Sequence, residues 1–210
     1  MNYEQMIDGF LTYFTEDDYK DEAMVAKAEF FEHVGVMDEE SYDYEMKMMQ
    51  FSEWYLFSRK LRRKSQTPIE CARDEVSWVH ENEDVYESLR SHRHSLFEFL
   101  KVSNRDLYIR DLISNYKFVV KDSPVTVGFN KGEYFEARLI PNGDSFLFTR
   151  AFCFHPPQAC KFIKKEIKKL KKVEESELPA AREAMLLKLF KMKNKVEQYR
   201  HVSIEAVYAE

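Results

Sequence analysis

The most informative segment of this chain is residues 132–157, which reads GEYFEARLIPNGDSFLFTRAFCFHPP. Apolar and polar side chains alternate here in short runs rich in phenylalanine, and such alternation is typical of half-buried β-strands. The pair Asn142-Gly143 separates two of these runs and predicts a tight hairpin, because both residues adopt left-handed backbone readily. His155 and the two prolines after it end the last strand and begin a helix. The segment therefore predicts antiparallel strands that lead into a helical end.

The same alternation extends toward the N-terminus as far as residue 95. It predicts five strands, at residues 96–102, 107–111, 116–121, 133–140 and 145–154. Five short antiparallel strands with aromatic residues on both faces favour a small barrel or a strongly curled sheet, since such closure removes exposed edges.

Helical periodicity dominates on both sides of the strands. Residues 22–34 form a predicted helix that buries Met24 and Phe31, and residues 41–60 form a longer one with apolar side chains on several faces. Thr67-Pro68-Ile69-Glu70 is a capping box that begins another helix. Two more helices are expected at residues 157–172 and from residue 179 to about residue 199, and the alternating tail at 202–208 suggests a last edge strand.

The predicted fold class is thus α+β, with an N-terminal helical layer, a five-stranded antiparallel small barrel or curled sheet, and two C-terminal helices. We divide the chain into a helical region at 1–94, a β module at 95–156, and C-terminal helices at 157–210 that pack on the β module.

Composition bounds the class of protein. Of the 210 residues, 44% are hydrophobic and 33% charged, aromatic content reaches 15%, and there are only five glycines. These values exclude a collagen-like or largely disordered chain and disfavour folds built on glycine-rich phosphate loops. No apolar run approaches the roughly 18 residues that span a bilayer, and the first ten residues lack the pattern of a secretory signal. Three cysteines suit a reducing compartment, so we expect a cytoplasmic location.

Charge is distributed unevenly along the chain. The net charge is −5, but residues 1–58 hold 15 acidic and 3 basic side chains, whereas residues 156–210 hold 13 basic and 8 acidic ones. A compact basic cluster lies between them at residues 59–64. Such asymmetry either indicates a surface for a charged partner or reflects pairing within the molecule.

Several segments carry a resemblance. The strings FSEWYLFSRKLRRKSQTPIE (51–70), SLFEFL (95–100), LYIRDLISNYKFVVKD (107–122), GEYFEARLIP (132–141) and FCFHP (152–156) resemble a group of uncharacterised bacterial proteins, some of which carry a SEC-C-type zinc tail. The resemblance covers about residues 40–170 and implies a helical front, a small β module and a helical end, with no known activity. The zinc tail is not implied here, because residues 157–210 contain a single cysteine, Cys160.

Metal-binding candidates are sparse. Cys153, His155 and Cys160 are spaced so that they could share an ion, and His92 and His94 could complete the set. On a strand Cys153 and His155 point to the same face, but Cys160 lies in the following helix. The same pattern is explained without a metal if both thiols are buried and His155 ends the strand before the helix. We therefore predict no bound metal and no cofactor.

Catalytic signatures are weaker still. No nucleophile elbow or phosphate-binding loop motif occurs. Cys71 lies in the first turn of a helix, where thiol pKa values can fall, but no base accompanies it. Glu133, Glu136 and Asp144 have no spacing that selects an acid–base pair. We therefore predict a protein without enzymatic activity.

The lysines of the predicted helix at 158–172 are the clearest functional feature. We call them the lysine ridge: Lys161, Lys164, Lys165, Lys168, Lys169, Lys171 and Lys172. The predicted partner-binding residues are Arg59, Arg62, Arg63, Lys164, Lys165, Lys168, Lys169 and Lys172. We expect a non-catalytic interaction or adaptor protein with an acidic protein partner.

Nucleic-acid binding through the basic helix and the aromatic residues of the barrel is the alternative. A sequence pI near 5.8 argues against a dedicated nucleic-acid binder. Membrane-surface contact is not expected, because the apolar stripe of the basic helix is needed to cover the sheet.

Overall fold

The computed structural model describes residues 1–35, 39–41, 44–124 and 128–209. They form two compact units. The first unit comprises residues 1–32, 36–92 and 149–151, and the second comprises residues 33–35, 93–148 and 152–210. Within the described part of the chain, no helix combines the length and the apolar character that crossing a membrane requires.

The first unit is helical. Its helices are α1 (Tyr3–Thr15), α2 (Lys20–Val34, whose last two residues are grouped with the second unit), α3 (Tyr44–Phe57), α4 (Pro68–Glu75) and α5 (Glu83–Arg90). The predicted capping box is confirmed, since the backbone N–H of Thr67 donates to Glu70 at 2.7 Å and the Thr67 hydroxyl accepts from the backbone N–H of Glu70. Residues 42 and 43 of the helix predicted at 41–60 lie outside the described residues.

Aromatic side chains fill the core of this unit. Phe10 and Phe14 of α1 are fully buried, and the indole of Trp78 stacks on Phe10 with ring centroids 4.6 Å apart. The Tyr55 hydroxyl donates to the carbonyl of Phe14 at 2.6 Å, so α1 and α3 are joined by a buried hydrogen bond as well as by apolar contact. A Cβ at Gly9 would meet the Trp78 ring at 3.0 Å, which explains why the smallest residue lies there.

The second unit is built on one antiparallel sheet. Its strands are β1 (Arg93–Ser103), β2 (Asp106–Asp111), β3 (Lys117–Val120), β4 (Tyr134–Asn142), β5 (Ser145–Phe148) and β6 (Cys153–His155). The strand order is β3-β2-β1-β4-β5, and β6 also pairs with β4. The backbone N–H of Lys121 donates to the Ser145 hydroxyl at 2.8 Å, which ties the end of β3 to β5 and curls the sheet into a half-barrel.

Each face of the curled sheet carries its own apolar core. On one face Phe97, Phe99 and Phe135 are buried among further phenylalanines. On the other face Leu96 and Tyr134 contact the helices α6 (Cys160–Leu170), α7 (Leu178–Gln198) and α8 (Ile204–Val207). The predicted α+β class, with helices before and after a curled antiparallel sheet, is confirmed.

Three local predictions differ from the structure. The strand predicted at 145–154 is two strands, because residues 149–151 leave the sheet and belong to the first unit. The tail predicted as an edge strand contains helix α8, capped by the Ser203 side chain, which accepts from Ala206. In α2 the predicted core residue Met24 is 64% exposed, and Ala26 and Phe30 are buried instead.

The hairpin between β4 and β5 forms as predicted, but its turn differs in detail. Asn142 pairs with Ser145, so the two central residues are Gly143 and Asp144. Of these two residues, Gly143 has left-handed backbone, at φ +58°.

The division of the chain into regions at 1–94, 95–156 and 157–210 stays a prediction, because the two compact units of the structure do not show which segments fold independently.

Candidate functional site

The lysine ridge lies on helix α6 and just beyond its end. Ile163, Ile167 and Leu170 are buried on one side of the helix, and all seven lysines are exposed on the other. Because 3.6 residues make a turn, lysines spaced by three and four residues line up along one helical face. The sequence therefore folds so that the apolar residues anchor the helix and the ammonium groups face solvent.

Few ridge lysines are paired with acids. Glu166, which is buried, binds Lys169 of the ridge and also Lys188 of α7. Lys164 lies 5.8 Å from the centroid of the Tyr134 ring, and its hydrogen bond with that hydroxyl raises the pKa of Lys164. Among the described residues no ion pair or hydrogen bond reaches the side chains of Lys165, Lys168 or Lys172. The ridge is thus a strip of cationic charge that is neutralised mainly at Lys169.

The predicted arginine contacts have a different environment in the first unit. The Arg59 side chain is only 5% exposed, and its guanidinium donates to Glu22 at 2.6 Å and to Glu29 at 3.1 Å. Arg62 is half exposed and donates to the same Glu22 at 2.9 Å. Arg63 is exposed. The structure therefore gives Arg59 a role inside the first unit, and we do not carry it into a binding surface.

The carboxylates around Arg59 are stabilised in their charged form. Burial alone would raise the pKa of Glu22, but hydrogen bonds from Arg59 and Arg62 outweigh this and hold that pKa below its usual range. The hydrogen bond from Arg59 likewise lowers the pKa of Glu29. The lowered pKa values indicate that both carboxylates stay ionised near neutral pH and form a structural ion cluster with Arg59.

Acid is expected to weaken the first unit through these two carboxylates. Their folded-state pKa values lie below the ordinary 4.5, so their contribution is complete above pH 4.5 and is lost as the pH falls through the lower folded-state values. We expect the free energy of unfolding to fall more steeply in wild type than in Glu29→Gln between about pH 5 and about pH 3. Urea titrations followed by tryptophan fluorescence measure it, since Trp54 and Trp78 both lie in this unit. Parallel curves would contradict the prediction.

A cavity of about 440 Å³ in the first unit is lined in part by Arg62, Arg63, Tyr19, Lys64 and Glu75. The Tyr19 hydroxyl donates to Glu75 at 2.6 Å and accepts from Lys64 at 2.8 Å. Burial, and then the hydrogen bond to Glu75, raises the pKa of Tyr19 to about 12. Tyr19 therefore keeps its proton near neutral pH, and it contacts both members of the ion pair between Lys64 and Glu75.

A second polar cluster lies inside the second unit. Glu136 of β4 and Cys153 of β6 are directly opposed across the two strands, and His155 opposes Tyr134. Because alternate residues of a strand share a face, Glu136, Cys153 and His155 all point to the side that α6, α7 and α8 cover. All three are buried, and one ligand-type atom from each lies within 4.8 Å of the other two.

Hydrogen bonds organise this buried cluster. His155 is 1% exposed; its Nε2 lies 2.8 Å from Oε1 of Glu136, and its Nδ1 lies 3.0 Å from the Tyr208 hydroxyl. Burial raises the pKa of the Cys153 thiol well above its usual value, and burial also raises that of Tyr208. The imidazole is therefore held at both nitrogens, between an acid from the sheet and a phenol that follows α8.

Only some of the residues that the sequence suggested as metal ligands lie together in the structure. Cys153 and His155 come together as expected from their strand, but Glu136 completes the cluster in place of Cys160. His94 binds Glu183 at 2.9 Å, and His92 belongs to the first unit, where its ring packs against Phe57. Sequence reasoning missed Glu136 as a partner because the register of β6 on β4 follows a break in the strand at 149–152.

Comparison with known proteins gives one result. A family model described as a family of unknown function (DUF7986) matches residues 2–201. No match was found among the curated proteins or the solved structures.

Proposed function

We propose that the lysine ridge of this protein, which belongs to the family of unknown function DUF7986, binds an acidic segment of another protein. The main observation behind this proposal is that all ridge lysines are exposed along α6 and just beyond its end, while the acid within the ridge, Glu166, is buried and already paired. We assign no catalytic step to this role. We place it in the bacterial cytoplasm, an assignment consistent with three cysteines that are all free.

The size and chemistry of the ridge favour a protein segment over a nucleic acid. An 11-residue helix is about 16 Å long at 1.5 Å per residue, which suits a short acidic helix or peptide. The ridge contains no arginine, the side chain that pairs with phosphate in bidentate geometry. The chain as a whole carries a net charge of −5, which opposes a long polyanion more than a short acidic segment.

Charge reversal on the ridge is expected to remove binding of an acidic probe. The variant Lys165→Glu, Lys168→Glu, Lys172→Glu changes three exposed side chains that form no ion pair or hydrogen bond with the part of the chain that the structure describes. If each pair contributes about 0.5 kcal/mol, binding of a fluorescent glutamate-rich peptide falls about tenfold or more. Fluorescence anisotropy at low salt measures the affinity, and far-ultraviolet circular dichroism checks that the fold is kept.

A matched control distinguishes the effect of the ridge lysines from the effect of the net charge. Lys60, Lys117 and Lys131 are also exposed, and their joint change to Glu alters the net charge by the same amount. The control variant should keep wild-type affinity. Equal loss in both variants, or none in the ridge variant, contradicts the proposal. A parallel titration with single-stranded DNA tests the alternative, for which log affinity should fall against log salt with a slope of about −0.7 per phosphate contacted.

A further inference from the structure

We propose that Glu136, Cys153 and His155 bind one divalent transition-metal ion, zinc by preference, in the interior of the second unit. These residues bring a carboxylate, a thiol and an imidazole together on neighbouring strands β4 and β6. The site is independent of the lysine ridge, because its donor atoms are buried while the ridge is on the surface.

The separations of the donor atoms suit a tetrahedral ion. With metal–ligand bonds of about 2.0–2.3 Å, donors around zinc stand about 3.3–3.7 Å apart. The Nε2 atom of His155 and Oε1 of Glu136 are 2.8 Å apart, and all three donors lie within 4.8 Å of one another. Side-chain shifts of about 1 Å therefore bring all three into bonding distance of one ion, and a water can occupy the fourth position.

The hydrogen bond on the far side of the imidazole matches a metal-binding histidine. Such a histidine usually donates its second ring N–H to an outer partner, which fixes the ring. Here the Tyr208 hydroxyl lies 3.0 Å from Nδ1, so it can accept that N–H and leave the lone pair of Nε2 directed at Glu136. In that tautomer the lone pair of Nε2 and the Glu136 oxygen, 2.8 Å apart, are stabilised by a cation between them, and a metal ion supplies one.

The charge of the ligands matches that of a divalent metal. Glu136 is buried, and Cys153 loses its proton when it binds a metal, so the two ligands together balance the charge of one divalent ion. A donor set of sulfur, imidazole nitrogen and carboxylate oxygen suits zinc and cobalt, whereas magnesium and calcium prefer oxygen ligands.

The test uses the full chain, unfolded with a chelator and refolded with or without metal, because the three ligands are buried. We expect one zinc per chain after dialysis and, with cobalt, a thiolate-to-cobalt charge-transfer band in the near ultraviolet. At free zinc about a hundred times Kd, the stabilisation should raise Tm by about 5–10 °C. A wild-type chain that retains no zinc and shows no cobalt band overturns the proposal without reference to any variant.

Cysteine variants identify the ligand set. The change Cys153→Ser should abolish the cobalt band, whereas Cys160→Ser and Cys71→Ser should keep it, since neither thiol belongs to the cluster. The change Tyr208→Phe, which removes only the outer hydrogen bond, should weaken zinc affinity about 10- to 100-fold. A band that survives in Cys153→Ser, or that disappears in Cys160→Ser alone, also overturns the assignment.

Discussion

Replacing Arg59 with methionine is expected to lower the free energy of unfolding of the first unit by about 3–5 kcal/mol. The guanidinium is buried between Glu22 and Glu29, and the Glu22 side chain is itself only 11% exposed. Removal of Arg59 takes the buried guanidinium away from both carboxylates and leaves the buried Glu22 with only the half-exposed Arg62 as its counter-ion. Loss of one partner of a buried pair is far more destabilising than the loss of a surface pair. Urea unfolding followed by tryptophan fluorescence measures the change, because both tryptophans report on this unit.

Arg63 supplies the matched control for this substitution. It lies four residues further along the chain in the same basic cluster, but its side chain is exposed, so Arg63→Met should change the free energy of unfolding by no more than about 0.5 kcal/mol. The triple variant Arg59→Met, Glu22→Gln, Glu29→Gln should recover much of the lost stability, since it removes the uncompensated charges. A loss below about 1 kcal/mol in Arg59→Met would contradict a buried ion cluster.

Replacing Glu53 with leucine is expected to cost about 3 kcal/mol in the same unit. Its carboxylate accepts from the Thr149 hydroxyl at 2.8 Å and from the backbone N–H of Ala151 at 2.9 Å. Leucine fills similar space but leaves both buried donors unsatisfied, at about 1–3 kcal/mol each. The same fluorescence-detected urea titration measures the change.

The change Thr149→Val is the graded comparison for Glu53→Leu. It removes a single donor and leaves the carboxylate bonded to Ala151, so the expected loss is about 1 kcal/mol. If Glu53→Leu is no worse than Thr149→Val, the carboxylate does not hold residues 149–151 as described.

Local sequence signals predicted much of this structure. The Thr67 capping box, the strand alternation and the hairpin at Gly143 depend on contacts between neighbours in sequence, and the structure contains them. The two faces of α6 could be separated for the same reason, because its apolar and basic residues have a clear helical period. Signals of this kind are sufficient for the fold class.

Long-range partners could not be predicted in the same way. Its position in a basic run predicts Arg59 on the surface, yet Glu22 and Glu29 of α2 enclose its guanidinium. Glu136 meets His155 through a register set after a break in the strand. In α2, apolar residues occur around the whole helix, so periodicity could not show that Phe30 rather than Met24 is buried. Each of these differences concerns a long-range contact that spacing along the chain does not specify.

The exchange of short segments between the units has a consequence for synthesis on the ribosome. Helices α1 to α5 leave the exit tunnel first, but residues 149–151, which satisfy Glu53, follow only after β5 has been made. Until then the nascent first unit must keep this carboxylate hydrated or remain incompletely closed. Two stalled chains with the same tether to clear the exit tunnel test this. The chain that ends at residue 148 should be cut by protease within α3, and the chain that ends at residue 151 should be protected.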